Sequence, residues 1–219
     1  MPNVRFASLA LAALSLGFLP GDDKPQAAGD MPEVANFTFE SADLNGWGFT
    51  DETAWKVTAE GDNHVLNQHK ASKYEPRVRS PFNIALLPDL DVESFVMDLK
   101  VRSTARDYGH RDVCLFFGYQ DPSHFYYSHL GKEADPHAHS IFLVNDEPRV
   151  SIARERTKGT PWTDDWHHVR VVRDVKSGLI AIYYDDMDKP VMSAEDKHFT
   201  HGRLGIGTFD DTALFDDIR

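Results

Sequence analysis

Period-two alternation runs along most of the chain from residue 34 onward. Phe95, Met97, Leu99 and Val101 fall on one side of Phe95–Arg102, and Asp98, Lys100 and Arg102 on the other, the pattern of a half-buried strand. The same criterion marks strands at Trp55–Thr58, His64–Gln68, Pro76–Phe82, Val113–Gln120, Phe125–Leu130, Ser140–Asn145 and Arg149–Ala153. Further ones follow at Trp166–Asp174, Leu179–Asp185, Arg203–Phe209 and Ala213–Arg219. Turn signals punctuate them, among them Glu60-Gly-Asp-Asn63, Asp121-Pro-Ser123 and Val175-Lys-Ser-Gly178. No window of about a dozen residues carries a helical stripe. Many short strands at intervals of about 8–12 residues predict an all-β fold, a sandwich of two antiparallel sheets. At its ends, Phe37 and Phe39 alternate on a first strand, Asp43 to Gly46 turn the chain and Trp47 caps a core. Leu214 and Ile218 bracket the carboxylates of a last strand.

The start of the chain follows another pattern. Arg5 precedes the apolar run Phe6–Leu19, and Pro20-Gly21 break it, so residues 1–20 are expected to be a secretory signal peptide, too short to span a bilayer. Cleavage is expected between Gly17 and Gly29, and no lipid-anchor cysteine follows. Residues 21–33, polar and carrying Pro25 and Pro32, form a linker, and 34–219 a single domain. A secreted or periplasmic bacterial protein is implied, with no membrane association in its mature form. Cys114, the one cysteine, sits in Val113–Phe117 and should be buried and unreactive. A formal net charge of -12 without a Lys/Arg cluster argues against nucleic acid as a partner.

Several segments together resemble a known fold. They are Phe37-x-Phe39-Glu40 with Gly46-Trp47, Arg79-Ser-Pro81, and Phe116–Asp121 with Phe125-Tyr-Tyr127. Trp166–Arg173, Arg203-Leu-Gly-Ile-Gly207 and Phe215-Asp-Asp-Ile218 complete the set. The order resembles the concanavalin A-like jelly roll, in its laminin-G-like and 3-keto-disaccharide-hydrolase-like branch of bacterial exported proteins. It implies a β-sandwich that binds or processes a glycan on a concave sheet face, though fold alone does not settle function. Domains closed by first and last strands of this kind often hold a structural calcium, here expected at Glu40 and Asp216. That cation accepts oxygen ligands with loose geometry. Both carboxylates pointing to water is the alternative, as is Asp217 in place of Asp216.

The central hairpin offers the polar candidates. Five of the eleven histidines lie between His110 and His139. Alternation puts Tyr126, Ser128 and Leu130 on one face of their strand, and Phe125, Tyr127 and His129 on the other. Leu130 with Tyr126 is the better core set, leaving Tyr127 and His129 on the open face; the inverse assignment stays open. Candidate substrate-binding residues are Arg77, Arg79, His110, Arg111, Tyr119, Tyr127, His129 and His139, since aromatic faces and guanidinium forks suit sugars. Arg77 and Arg79 fit an ordinary solvated edge equally well. His137-x-His139 could place two imidazoles on one face, though solvated loop histidines are the plainer reading. Asp185–Asp188 and Asp210-Asp211 read as solvated acidic turns, and the glycines of Arg203–Phe209 as sites of close backbone packing.

Asp112, His124 and His129 are candidate acid/base residues should the domain be an enzyme. The E-x-D-x-x-E strand of laminarinase-type hydrolases is missing, as are G-x-S-x-G and H-E-x-x-H motifs. Glycan recognition therefore ranks ahead of glycoside processing, with a protein partner on a sheet face as a third reading.

Overall fold

The alternation closes into two antiparallel sheets. The structure, a computed structural model, describes residues 31–219, so the expected signal segment and nearly all of the linker lie outside the described residues. Its strands are β1 (Gly48–Phe49), β2 (Trp55–Glu60), β3 (Asn63–Gln68), β4 (Asn83–Val92), β5 (Phe95–Ser103), β6 (Cys114–Asp121), β7 (His124–His129) and β8 (Ser140–Asn145). After them come β9 (Val150–Ser151), β10 (Ala153–Arg156), β11 (His167–Asp174), β12 (Leu179–Tyr184), β13 (Met192–Glu195), β14 (Gly202–Thr208) and β15 (Ala213–Asp216). A seven-stranded sheet has the order β1-β4-β14-β6-β7-β8-β9, and an eight-stranded sheet the order β10-β13-β12-β11-β5-β15-β3-β2. The only helix among the described residues is one 3-10 turn, Glu52–Ala54. None is long and apolar enough to cross a membrane.

The core lies between the sheets. Met97, Leu99 and Val101 of β5 and Val169 and Val171 of β11 meet Leu115, Phe117, Tyr126, Ile141 and Ile206 of the opposing sheet. This is the alternation of Phe95–Arg102 realised in space, with Lys100 left exposed on the other side. Close approach of strands explains the glycines of β14: a Cβ on Gly207 would sit 1.8 Å from the Asn83 carbonyl oxygen.

Elements at Pro76–Phe82 and at Phe37 differ from expectation, and β4 has no counterpart among the expected strands. Pro76–Phe82 is not a strand; Pro76 and Pro81 lack the N–H a ladder needs, and residues 69–82 instead cross the outer face of the seven-stranded sheet. The ten-residue β4 begins immediately after it, disguised by Pro88 and by Asp89, whose φ is 48°. Phe37 pairs with Ile218 through a single bridge rather than a strand, because Phe39 (φ 61°) turns the chain. The ends of the domain nonetheless meet there. Phe37 and Phe39 pack on Trp47 with centroids 5.3 and 5.7 Å away, so Trp47 closes the core as expected.

Candidate functional site

The outer face of the seven-stranded sheet carries a second apolar layer. Cross-strand register aligns Gly205, Phe116, Tyr127, Phe142 and Ser151 in one row, and Gly207, Cys114, His129 and Ser140 in the next. The Phe116, Tyr127 and Phe142 rings stack, at 5.9 and 5.1 Å between centroids. Glycines on β14 leave the rings room to lie flat. Tyr126 and Leu130 point into the inter-sheet core and Phe125, Tyr127 and His129 outward, so the preferred face assignment holds.

That face is not open at its centre. Val78 and Phe209 pack over it, and Tyr127 and His129 are buried at 0% and 4% exposure. The expectation that both lie free for ligand is therefore corrected: covering segments fill the groove over them. Arg149, which no sequence signal flagged, seals this end. Its Nη1 donates to the Tyr127 hydroxyl at 2.7 Å, its Nη2 donates to the His137 carbonyl, and its guanidinium lies over the Phe142 and Phe209 rings.

Two places on this face remain chemically available. The first is a cleft of about 300 Å³ lined by Phe49, Thr50, Tyr74, Ile84, Leu86 and Tyr119, with Gly48 and Pro122 at its margin. Arg203 reaches past Gly48 and donates to the Leu87 carbonyl at 2.9 Å. Burial raises the Tyr119 hydroxyl above its ordinary pKa, and neighbouring Tyr74 adds to this, so it stays a neutral donor. The cleft is mostly apolar with a few polar groups at its edge, the usual make-up of a small-ligand site.

The second place is polar. Asp112, fully buried, brings a carboxylate oxygen within 4.8 Å of those of Asp210 and Asp211. Asp112 Oδ2 accepts from the Phe209 N–H at 2.7 Å and lies 3.2 Å from His129 Nε2. Asp211 accepts from the Asp112 N–H and from the Tyr108 hydroxyl. Burial, and then the charge of Asp112, raise the Asp211 carboxyl to about 6, and the same causes raise Asp210. Asp210-Asp211 is thus no merely solvated turn: the chain reverses after β14 and carries both carboxyls back onto the start of β6.

The remaining sequence candidates separate. Arg111, 2% exposed, donates to Ser103 Oγ, to the carbonyls of Ser103 and Thr163, and to Asp164, so it braces the fold and is not offered to ligand. His139 is fully buried between Thr157 and Thr160, while His137 is exposed. A positive φ at His139 (51°) turns the two imidazoles apart, correcting the one-face expectation. His110 is exposed and paired with Asp135 at 3.0 Å. His124 bonds Asp121 and Asp146 at the far end of β7, away from Asp112 and His129. Arg77 and Arg79 are exposed side by side with Val78 turned inward, and Arg77 approaches Asp146 at 3.6 Å. Glu40 accepts from the His64 N–H and meets its ring, while Asp216 accepts from Asn63 and from the Asp217 N–H.

Solved structures share this architecture at low identity. The carbohydrate binding module CBM66 from Bacillus subtilis is 17% identical, over 85% of this chain and 98% of its own, with a TM-score of 0.58. The GH43 protein BlXynB from Bacillus licheniformis is 12% identical at a TM-score of 0.55, over 87% of this chain and 40% of that one. This chain thus corresponds to less than half of that protein. Lectin I-B4 from Griffonia simplicifolia, in its metal-free form, is 13% identical over 85% of this chain and 98% of its own, with a TM-score of 0.52. No protein-family model matches the chain, and no curated protein matches it. The fold is that of a concanavalin A-like β-sandwich.

Proposed function

We propose that this chain is an exported carbohydrate-recognition domain that holds a glycan in the cleft between Tyr74 and Tyr119. The observation that carries this is the cleft itself: two half-exposed tyrosines and Phe49 offer aromatic surface to the C–H face of a sugar ring. The tyrosine hydroxyls line it for the sugar hydroxyls, while the Thr50 hydroxyl is held by the Phe82 carbonyl and the Ile84 N–H. Neighbours of the same fold are named as a carbohydrate binding module and a lectin, which supports the reading. Arg77 and Arg79 lie exposed on the segment that carries Tyr74, where they could extend contact to a longer chain.

A glycan-array screen of the purified protein, with reducing-sugar release measured on each binder, tests this directly. Tyr119→Ala and Tyr74→Ala should each abolish binding. No glycan bound, or binding indifferent to both substitutions, would remove the proposal.

Glycoside processing is the second reading, favoured by the meeting of Asp112, Asp210 and Asp211 beside His129. Paired carboxyls next to an imidazole are the groups that move protons in such chemistry. Absence of sugar release from any bound glycan would dismiss it. The structural calcium at Glu40 and Asp216 also belongs to this proposal, supported by their contacts to the adjacent residues His64 and Asn63 of one hairpin. Calcium should then raise the melting temperature relative to excess chelator, and an unchanged temperature would discard it.

A further inference from the structure

Three donor side chains that the glycan cleft does not use converge at the start of β6. Cys114 and His129 are directly opposite in the β6–β7 register, and Asp112 lies two residues before Cys114. Cys114 Sγ is 3.3 Å from Asp112 Oδ2 and His129 Nε2 is 3.2 Å from the same oxygen. One donor atom from each of the three lies within 4.8 Å of the others.

The hydrogen bonding around them is incomplete in a specific way. His129 Nδ1 stands 3.0 Å from the His137 carbonyl oxygen, which can only accept, so Nδ1 carries a proton and donates it. His129 Nε2 is buried and makes no hydrogen bond, though it lies 3.2 Å from Asp112 Oδ2. Asp112 Oδ1 is also buried without a partner. Two neighbouring orphan polar atoms in one buried cluster call for a missing partner.

We propose that Asp112, Cys114 and His129 bind a divalent transition metal of the zinc type, with the Asp210 carboxylate completing the shell from the solvent side, since both Asp211 oxygens already accept hydrogen bonds. Around tetrahedral zinc, bonds of about 2.0 Å to oxygen and nitrogen and about 2.3 Å to sulfur set O···N edges near ~3.3 Å and O···S edges near ~3.5 Å. The observed separations of 3.2 and 3.3 Å lie close to those edges. The His137 carbonyl fixes the tautomer that presents Nε2, and the Phe209 N–H holds the Asp112 carboxylate, the outer contacts a metal ligand ordinarily has. No Lys or Arg ion pair among the described residues reaches Asp112, Asp210 or Asp211, so a cation would relieve their mutual repulsion. Sulfur and imidazole donors select such a metal over calcium or magnesium.

The test is metal binding by the purified protein, stripped with chelator and titrated with Co²⁺. One equivalent should bind, with a thiolate-to-cobalt charge-transfer band and the intense visible bands of a four-coordinate site. Zn²⁺ should displace it and raise the melting temperature, whereas excess Ca²⁺ or Mg²⁺ should leave the cobalt bands unchanged. Cys114→Ser should lose the charge-transfer band. Asp210→Asn, at an exposed position, should weaken cobalt binding at least tenfold without lowering the melting temperature of the metal-free protein. Absence of uptake, or uptake with no charge-transfer band in the unsubstituted protein, overturns the proposal. Neither readout depends on whether a glycan binds, so the two proposals stand or fall separately. Should Cys114→Ser not fold, the unsubstituted spectrum and Asp210→Asn still decide.

Discussion

Tyr119 stacks on Phe125, with centroids 5.2 Å apart and planes 28° from parallel, because Gly118 interrupts the alternation of β6. Phe116 faces outward and Phe117 inward, so strict alternation would send Tyr119 into the core. Gly118 adopts a φ of 55° where the β6–β7 register shifts between Phe117 and Asp121, and this bulge returns Tyr119 to the outer face. A Cβ there would meet Tyr126 Cδ2 at 3.2 Å and Phe199 Cβ at 3.3 Å. Gly118→Ala should cost about 2 kcal/mol, a melting temperature lower by roughly 4–8 °C, and should weaken any glycan bound at Tyr119. Thermal melts and a binding isotherm on the same preparation check both effects.

Tyr127 is a structural ring in this arrangement. It is fully buried between Phe116 and Phe142. Tyr127→Ala should therefore destabilise by about 3–5 kcal/mol in chemical denaturation, through the cavity it leaves. Tyr127→Phe removes only the acceptor of the Arg149 hydrogen bond and should cost about 1 kcal/mol. Equal, small effects of both would contradict this packing.

Arg111 should behave as a brace. Arg111→Met strands the carbonyls of Ser103 and Thr163 and should cost about 3 kcal/mol. Glycan affinity, measured on the folded fraction, should not change. A selective loss of affinity with full stability would return Arg111 to the binding site.

His139 makes stability depend on pH in one direction. Burial, with the charge of nearby Arg156 second and that of His129 third, lowers its pKa from 6.5 to about 4. Between those values the unfolded chain takes up a proton that the fold refuses, so stability is complete above 6.5 and falls as pH drops towards 4. The loss should not exceed about 3 kcal/mol. Urea titrations of the protein and of His139→Gln at pH 7 and pH 4.5 isolate it, since other titrations cancel in the comparison. A pH dependence unchanged by the substitution would refute it.

Cys114 should be inert in the native, metal-free protein. Burial, helped by the Asp112 carboxylate, holds its thiol well above its ordinary pKa. A thiol reagent should label it only after unfolding, and rapid labelling of native protein would overturn this.

Local pattern alone determined the two-sheet architecture, the orientation of most strands and the facing of Tyr127 and His129. Side chains on a strand must alternate, and apolar ones must find a core, so Phe95–Arg102 or Phe125–Leu130 can be placed without a partner in view. Burial could not be assigned this way. An exposed and a covered outer face have the same alternation, and what covers Tyr127 is Val78, Arg149 and Phe209, at least about twenty residues away along the chain. Asp210 and Asp211 looked like a solvated turn because their approach to Asp112 spans almost a hundred residues. Cys114 is a buried core residue, as its apolar neighbours in sequence indicate, but only the register brings it against Asp112 and His129 as well. Alternation is a property of the backbone and travels with the sequence; a cluster of charges is a property of register and reversal, which only tertiary structure supplies.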